Sequence, residues 1–139
     1  MSQHDTIRCD DVALIAAVVM DHFDVSDDDF YSSVRTAEVA LARQVTMYLA
    51  RTTTLLSYPE IGAALDRDHS TVMHGAHLVA DRIVSDRDLA AKVADVRREL
   101  ARLLILGAIE AGTLVRDDLT PLTHQEADAL RFAVLGETP

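Results

Sequence analysis

Four consecutive polar side chains, Asp68, His69, Ser70 and Thr71, stand directly before an apolar-periodic run through Val72, Ala76, Val79 and Ile83. If that run is a helix, its first turn presents a carboxylate, an imidazole and two hydroxyls. These are short hydrogen-bonding groups of the size that meets base edges in a major groove, and the Thr71 methyl can pack on a thymine methyl. The bland alternative is that Asp68 and Ser70 only cap the helix. From spacing alone the two readings stand level.

Other chemistry is thinner. His69, His74 and His77 form a cluster with His74 and His77 one helical turn apart, a spacing that can bind a metal, yet no cysteine or carboxylate completes a ligand set. Surface histidines on a helix are the simpler reading, and neither a metal nor a cofactor is expected. Cys9 has no histidine placed to activate it. Asp27, Asp28 and Asp29 follow Ser26 and read as the acidic first turn of a capped helix, not as a general acid and base.

The polar run needs a scaffold, and the flanking sequence supplies one. Ser57, Pro59 and Glu60 make a helix start, with Ser57 as cap, Pro59 in the first turn and Glu60 placed to close a capping box. That helix should end near Leu65. A tight turn at Asp66 and Arg67 then leads into the helix opened by the polar run, which is the layout of a helix-turn-helix. Upstream, apolar spacing predicts a helix over residues 11–23, a short one from Ser26 to about Ser32, and a long one over 36–53 that lacks Gly and Pro. Downstream, Leu89, Val93, Val96, Leu100, Leu103 and Leu104 predict a helix over 86–109 that closes the bundle. Breaks follow at Gly107, Gly112 and Pro121. Thr123 with Glu126 predicts a last helix over 123–135, and the end from Gly136 should fray.

Composition agrees with an all-α protein, a compact helical bundle with an extra C-terminal helix: 4% aromatics, no Trp and five Gly in 139 residues offer little for sheets. One cysteine allows no internal disulfide, and neither a signal peptide nor a membrane span is visible, so a cytoplasmic setting is expected. The expected division is a flexible N-terminus at 1–10, a binding domain at 11–106 and an extension at 107–139. The formal charge of -10 argues against sequence-blind nucleic-acid binding, which relies on Lys and Arg. The charge is uneven, however. Residues 1–30 hold only Arg8 against eight acids, whereas residues 31–82 balance Arg35, Arg43, Arg51, Arg67 and Arg82 against five acids. Those five basic residues are all Arg, the side chain best matched to phosphate and guanine.

The strings Ala42-Arg43-Gln44, Met47-Tyr48-Leu49-Ala50-Arg51, Ser57-Tyr58-Pro59-Glu60-Ile61-Gly62 and Arg67-Asp68-His69-Ser70-Thr71-Val72 together resemble the C-terminal DNA-binding domain (domain IV) of the bacterial replication initiator family DnaA. The likeness runs from about Asp11 to Leu104. It implies double-stranded DNA as partner, with Asp68, His69, Ser70 and Thr71 reading bases in the major groove and Arg35 in the minor groove. It further implies phosphate contacts from Arg43, Gln44, Arg51, Ser57, Tyr58 and Arg67.

Departures from the family pattern modify this. No Gly-x-x-x-x-Gly-Lys-[Ser/Thr] loop is present, so no ATPase and no enzyme is expected. Arg35 stands in a loop poor in other basic residues, Asp66 replaces a usual Gly, and Ala76, His77, Leu78 and Val79 stand where a basic pair is common. The first function expected is sequence-specific binding of a DnaA-box-like duplex in replication control or transcriptional regulation. The alternative is a protein-interaction module, an antagonist of the host initiator with weak DNA affinity. The acidic surface offers a site for a protein partner. The apolar C-terminal helices offer either a homodimer seam or a fuller core.

Overall fold

A computed structural model of the chain describes residues 3–111 and 122–136, with side chains from residue 11 onward. The described residues form seven helices and no strand: α1 (Gln3–Phe23), α2 (Asp27–Phe30), α3 (Ala37–Thr53), α4 (Tyr58–Leu65), α5 (His69–Ser85), α6 (Arg87–Ala111) and α7 (His124–Leu135). The all-α expectation holds. The breaks expected at Gly112 and Pro121, the fraying expected over 137–139 and the Cys9 side chain lie outside the described residues.

The chain divides into two compact units, Met1–Val96 and Arg97–Pro139. In the first unit α3 is the hub, in contact with α1, α2, α4 and α5. The reason lies in its composition: Val39, Ala42, Val45, Met47, Leu49 and Ala50 are all buried, wrapping apolar surface around more than one face. Thr46 is fully buried among them, and its hydroxyl is satisfied by the Ala42 carbonyl one turn back at 2.9 Å. Val12, Ile15, Ala16 and Val19 from α1, Ile61 and Leu65 from α4, Val72, Ala76 and Val79 from α5, and Leu89, Val93 and Val96 from α6 complete this core.

Helix ends follow local signals. Ser26, Thr36, Ser57 and Asp68 each cap the helix that follows through a side-chain oxygen. Asp86 does the same for α6, accepting from the Leu89 amide at 3.0 Å. In the second unit, Thr123 and Glu126 form the expected capping box of α7, and Gly136 closes that helix in a left-handed conformation at φ 73°.

Three boundaries differ from expectation, and one of them is that α6 runs through Gly107, an expected break, to Ala111. α1 opens at Gln3 instead of Asp11. α2 stops at Phe30, short of Ser32, because its carbonyls are drawn away from the helix by the Arg43 guanidinium. Ordering the backbone of four residues costs about 4–8 kcal/mol, more than the roughly 1.5–3 kcal/mol from burying Phe30. So α2 depends on that guanidinium as well as on its buried ring.

Candidate nucleic-acid interface

The helix-turn-helix is built from α4, a turn at Asp66 and Arg67, the N-cap Asp68, and α5. Ser57 and Glu60 realise the capping box: the Glu60 amide donates to Ser57 Oγ at 3.2 Å, and the Ser57 amide donates to Glu60 Oε1 at 3.1 Å. The turn needs a left-handed residue, and Asp66 supplies it at φ 54°, ψ 49°. It also needs close approach. The Arg67 amide reaches the Gly62 carbonyl at 2.8 Å, and a Cβ on Gly62 would lie 2.4 Å from the Arg67 carbonyl oxygen. Gly75 plays a parallel part where α5 crosses α3, since a Cβ there would meet Met47 Sδ at 2.7 Å.

This scaffold leaves His69, Ser70 and Thr71 exposed at the start of α5. Asp68 Oδ2 accepts from the Ser70 amide at 3.1 Å and also from the Ser70 hydroxyl. These hydrogen bonds from Ser70, chiefly the one from its hydroxyl, hold the Asp68 carboxyl below the usual carboxylate range, and the adjacent His69 acts the same way. Asp68 and Ser70 therefore do the capping work that spacing alone left open. His69 and Thr71 are the exposed members of the run with no such task.

A concavity of about 350 Å³ is lined by Arg35, Arg43 and Gln44 together with Arg67 of the turn and Thr71, His74 and Gly75 of α5. His74 is a residue that sequence reasoning assigned only to a metal cluster. Its place in the groove was legible from its position three residues after Thr71, which puts both on one helix face. His77 lies elsewhere, 3.4 Å from the Tyr58 hydroxyl. Arg35, also exposed, lines the same groove.

Three of the residues expected at phosphates make hydrogen bonds within the protein. Arg43 is buried, and its guanidinium donates to the carbonyls of Phe30 (2.7 Å), Val34 (2.6 Å), Asp29 (2.8 Å) and Ser32 (2.8 Å). Four of its five N–H groups thus organise the α2–α3 loop, while the side chain also borders the groove. Burial lowers its pKa, and the nearby Arg67 and Arg35 guanidinia lower it further. The Ser57 hydroxyl is likewise committed, donating to Glu60 Oε1 at 2.9 Å while accepting from the Glu60 amide. Arg67 is half-buried and gives one N–H to the Ser32 carbonyl at 2.8 Å.

Arg51 in the last turn of α3 packs on Tyr58 at the start of α4. Arg51 Nη1 donates to the Leu56 carbonyl at 2.8 Å, and its guanidinium carbon lies 4.7 Å from the centre of the Tyr58 ring. Gln44 is half-buried at the groove.

A family model described as the bacterial dnaA protein helix-turn-helix matches residues 12–79, the span that holds the capping box, the left-handed turn and the opening of α5. This segment belongs to the bacterial DnaA helix-turn-helix family. The chain is similar to proteins named chromosomal replication initiator protein DnaA. That of Xanthobacter autotrophicus is 43% identical over 93 residues, covering 66% of this chain and 18% of the relative. That of Caldanaerobacter subterraneus subsp. tengcongensis is 36% identical over 89 residues, covering 64% and 20%. That of Rhodopseudomonas palustris is 40% identical over 100 residues, covering 71% and 21%. The chain thus spans about a fifth of the length of these curated relatives. Within the DnaA-type segment, the groove between Arg35 and α5 is the feature whose chemistry suits a polyanion. Among the described residues no helix is long and apolar enough to cross a membrane.

Proposed function

We propose that the DnaA-type segment binds double-stranded DNA at a DnaA-box-like site, as a non-catalytic module in replication control or transcriptional regulation in the cytoplasm. The observation that carries this is the groove whose lining joins exposed Arg35 to Thr71 and His74 of α5. In this reading the opening of α5 enters the major groove, where His69 and Thr71 meet base edges and Asp68 and Ser70 hold the helix end. Arg35 enters the neighbouring minor groove, whose negative potential suits a guanidinium. Arg51, Tyr58, Gln44 and the remaining donors of Arg67 lie along the phosphates. The relatives' name, chromosomal replication initiator protein, supports a role in replication.

Fluorescence anisotropy with a labelled DnaA-box duplex and a shuffled duplex of equal composition, at two salt concentrations, tests the proposal. Selective binding is expected, with a salt slope of about -2 to -3 because only a few Arg remain to displace counterions. His69→Ala and Thr71→Ala should each cost about 1–3 kcal/mol on the box and little on the shuffled duplex. Equal losses on both would remove direct base reading.

The net charge of -10 and the commitment of Arg43 to protein carbonyls favour, as a second reading, a protein-interaction module that antagonises an initiator. A folded chain that binds neither duplex, yet is retained by an immobilised initiator, would establish it. Exposed Leu103, Leu104 and Leu135 support self-association through the C-terminal helices in either reading.

A further inference from the structure

The carbonyl of Ser32 accepts from two guanidinium groups on different elements: Arg43 of α3 at 2.8 Å and Arg67 of the helix-turn-helix turn at 2.8 Å. Arg43 also gathers the carbonyls of Asp29, Phe30 and Val34, so one side chain holds four points of the segment 29–34. The segment is closed further by its own bonds, with the Ser32 hydroxyl donating to the Asp29 carbonyl at 2.8 Å and the Val34 amide donating to Ser32 Oγ at 3.1 Å. Arg35 follows directly, and Asp68, the cap of α5, follows Arg67 directly.

We propose that Arg43 and Arg67 are positioning residues that lock the Arg35 loop to the turn before α5, so that the minor-groove and major-groove readers keep a fixed spacing.

The proposal rests on the DNA-binding reading above. A flexible loop would lose conformational freedom whenever Arg35 entered a groove, whereas a loop already held at four carbonyls has lost it in folding. Placing two like charges around one carbonyl is unfavourable in itself, and burial adds to that cost for Arg43, consistent with its lowered pKa. What offsets it is the carbonyl cage: four acceptors arranged around a planar fork, a geometry that a single ammonium cannot match.

The test separates positioning from phosphate contact. Arg43→Lys keeps the charge and loses the fork. If Arg43 held a phosphate, Lys would restore most of the affinity, and Arg43→Gln would flatten the salt slope by about one unit. For a positioning residue, Arg43→Lys should lower affinity for the DnaA-box duplex about tenfold, the weight of one base contact, with the salt slope unchanged. In an Arg35→Ala background the same change should cost less than about twofold, because the group being positioned is gone.

Amide relaxation on the DNA-free protein reads the lock directly. Residues 32–35 should gain motion in Arg43→Lys while α3 and α5 stay ordered. If Arg43→Lys fails to fold, Arg67→Lys removes only the strut to Ser32, and the same affinity, cycle and relaxation readouts apply to it. Full rescue by Lys, or an unchanged loop, overturns the proposal while leaving DNA binding intact. A wild-type chain that selects no duplex overturns the DNA reading and this proposal with it.

Discussion

Arg35 and Arg43 carry the same charge eight residues apart, yet one is exposed and the other is buried with four carbonyl partners. Truncating them should therefore do opposite things. Arg43→Ala strands several carbonyls and is expected to cost about 2–4 kcal/mol in urea denaturation, while Arg35→Ala should stay within about 0.5 kcal/mol. Asp68 gives a pH dependence with a definite sign. Its carboxyl is held below its ordinary value by Ser70, so the cap is fully formed above about pH 3.9 and is lost as pH falls through the depressed native value. Exchange protection of the Ser70 amide should fall in acid, and Asp68→Asn, a cap that does not titrate there, should remove that dependence. Arg43 also shows what spacing does not reveal. The helix period puts it beside Ala42 on α3, but its carbonyl partners lie 9 to 14 residues away in a segment without a regular repeat.

The helix-turn-helix shows the converse. Its start, its end and its capping box are local events, set by Ser57, Pro59, Glu60 and Asp68 within a few residues of where they act, and the structure places each at its expected boundary. The glycines of this unit differ in what surrounds them. Gly62 faces the backbone carbonyl of Arg67, which cannot move without opening the turn, whereas Gly75 faces the end of the Met47 side chain, which can rotate away. Gly62→Ala should cost about 1–3 kcal/mol, and Gly75→Ala clearly less, by thermal or urea denaturation. α2 is the element least readable in advance. Its cap at Ser26 is local, but its end at Phe30 depends on a guanidinium thirteen residues on.

Over the whole chain the charge is -10, yet Arg35, Arg43 and Arg67 converge beside a groove in which Thr71 and His74 also lie. Net charge and local charge thus point to different partners, and locality governs contact because fields between exposed charges fade within about 8–10 Å in salt. The second unit contributes its own feature: Leu103, Leu104 and Leu135 remain 37%, 51% and 39% exposed. Sedimentation equilibrium is expected to show twice the chain mass at high concentration. Leu104→Glu should restore the monomer with helicity retained, and a monomer at all concentrations would remove the dimer.

Sequence alone determined the helical class, the helix-turn-helix and the polar opening of its second helix. These rest on contacts within about four residues, where capping chemistry and a 3.6-residue period leave few alternatives. It could not tell the exposed Arg35 from the buried Arg43 that holds the loop, nor say which member of the polar run accepts the capping bonds. Those assignments depend on burial and on carbonyls brought together from distant stretches of chain. The fold alone supplies that proximity, because a guanidinium is indifferent to which carbonyls it meets until packing of α2 and α3 brings them within 3 Å.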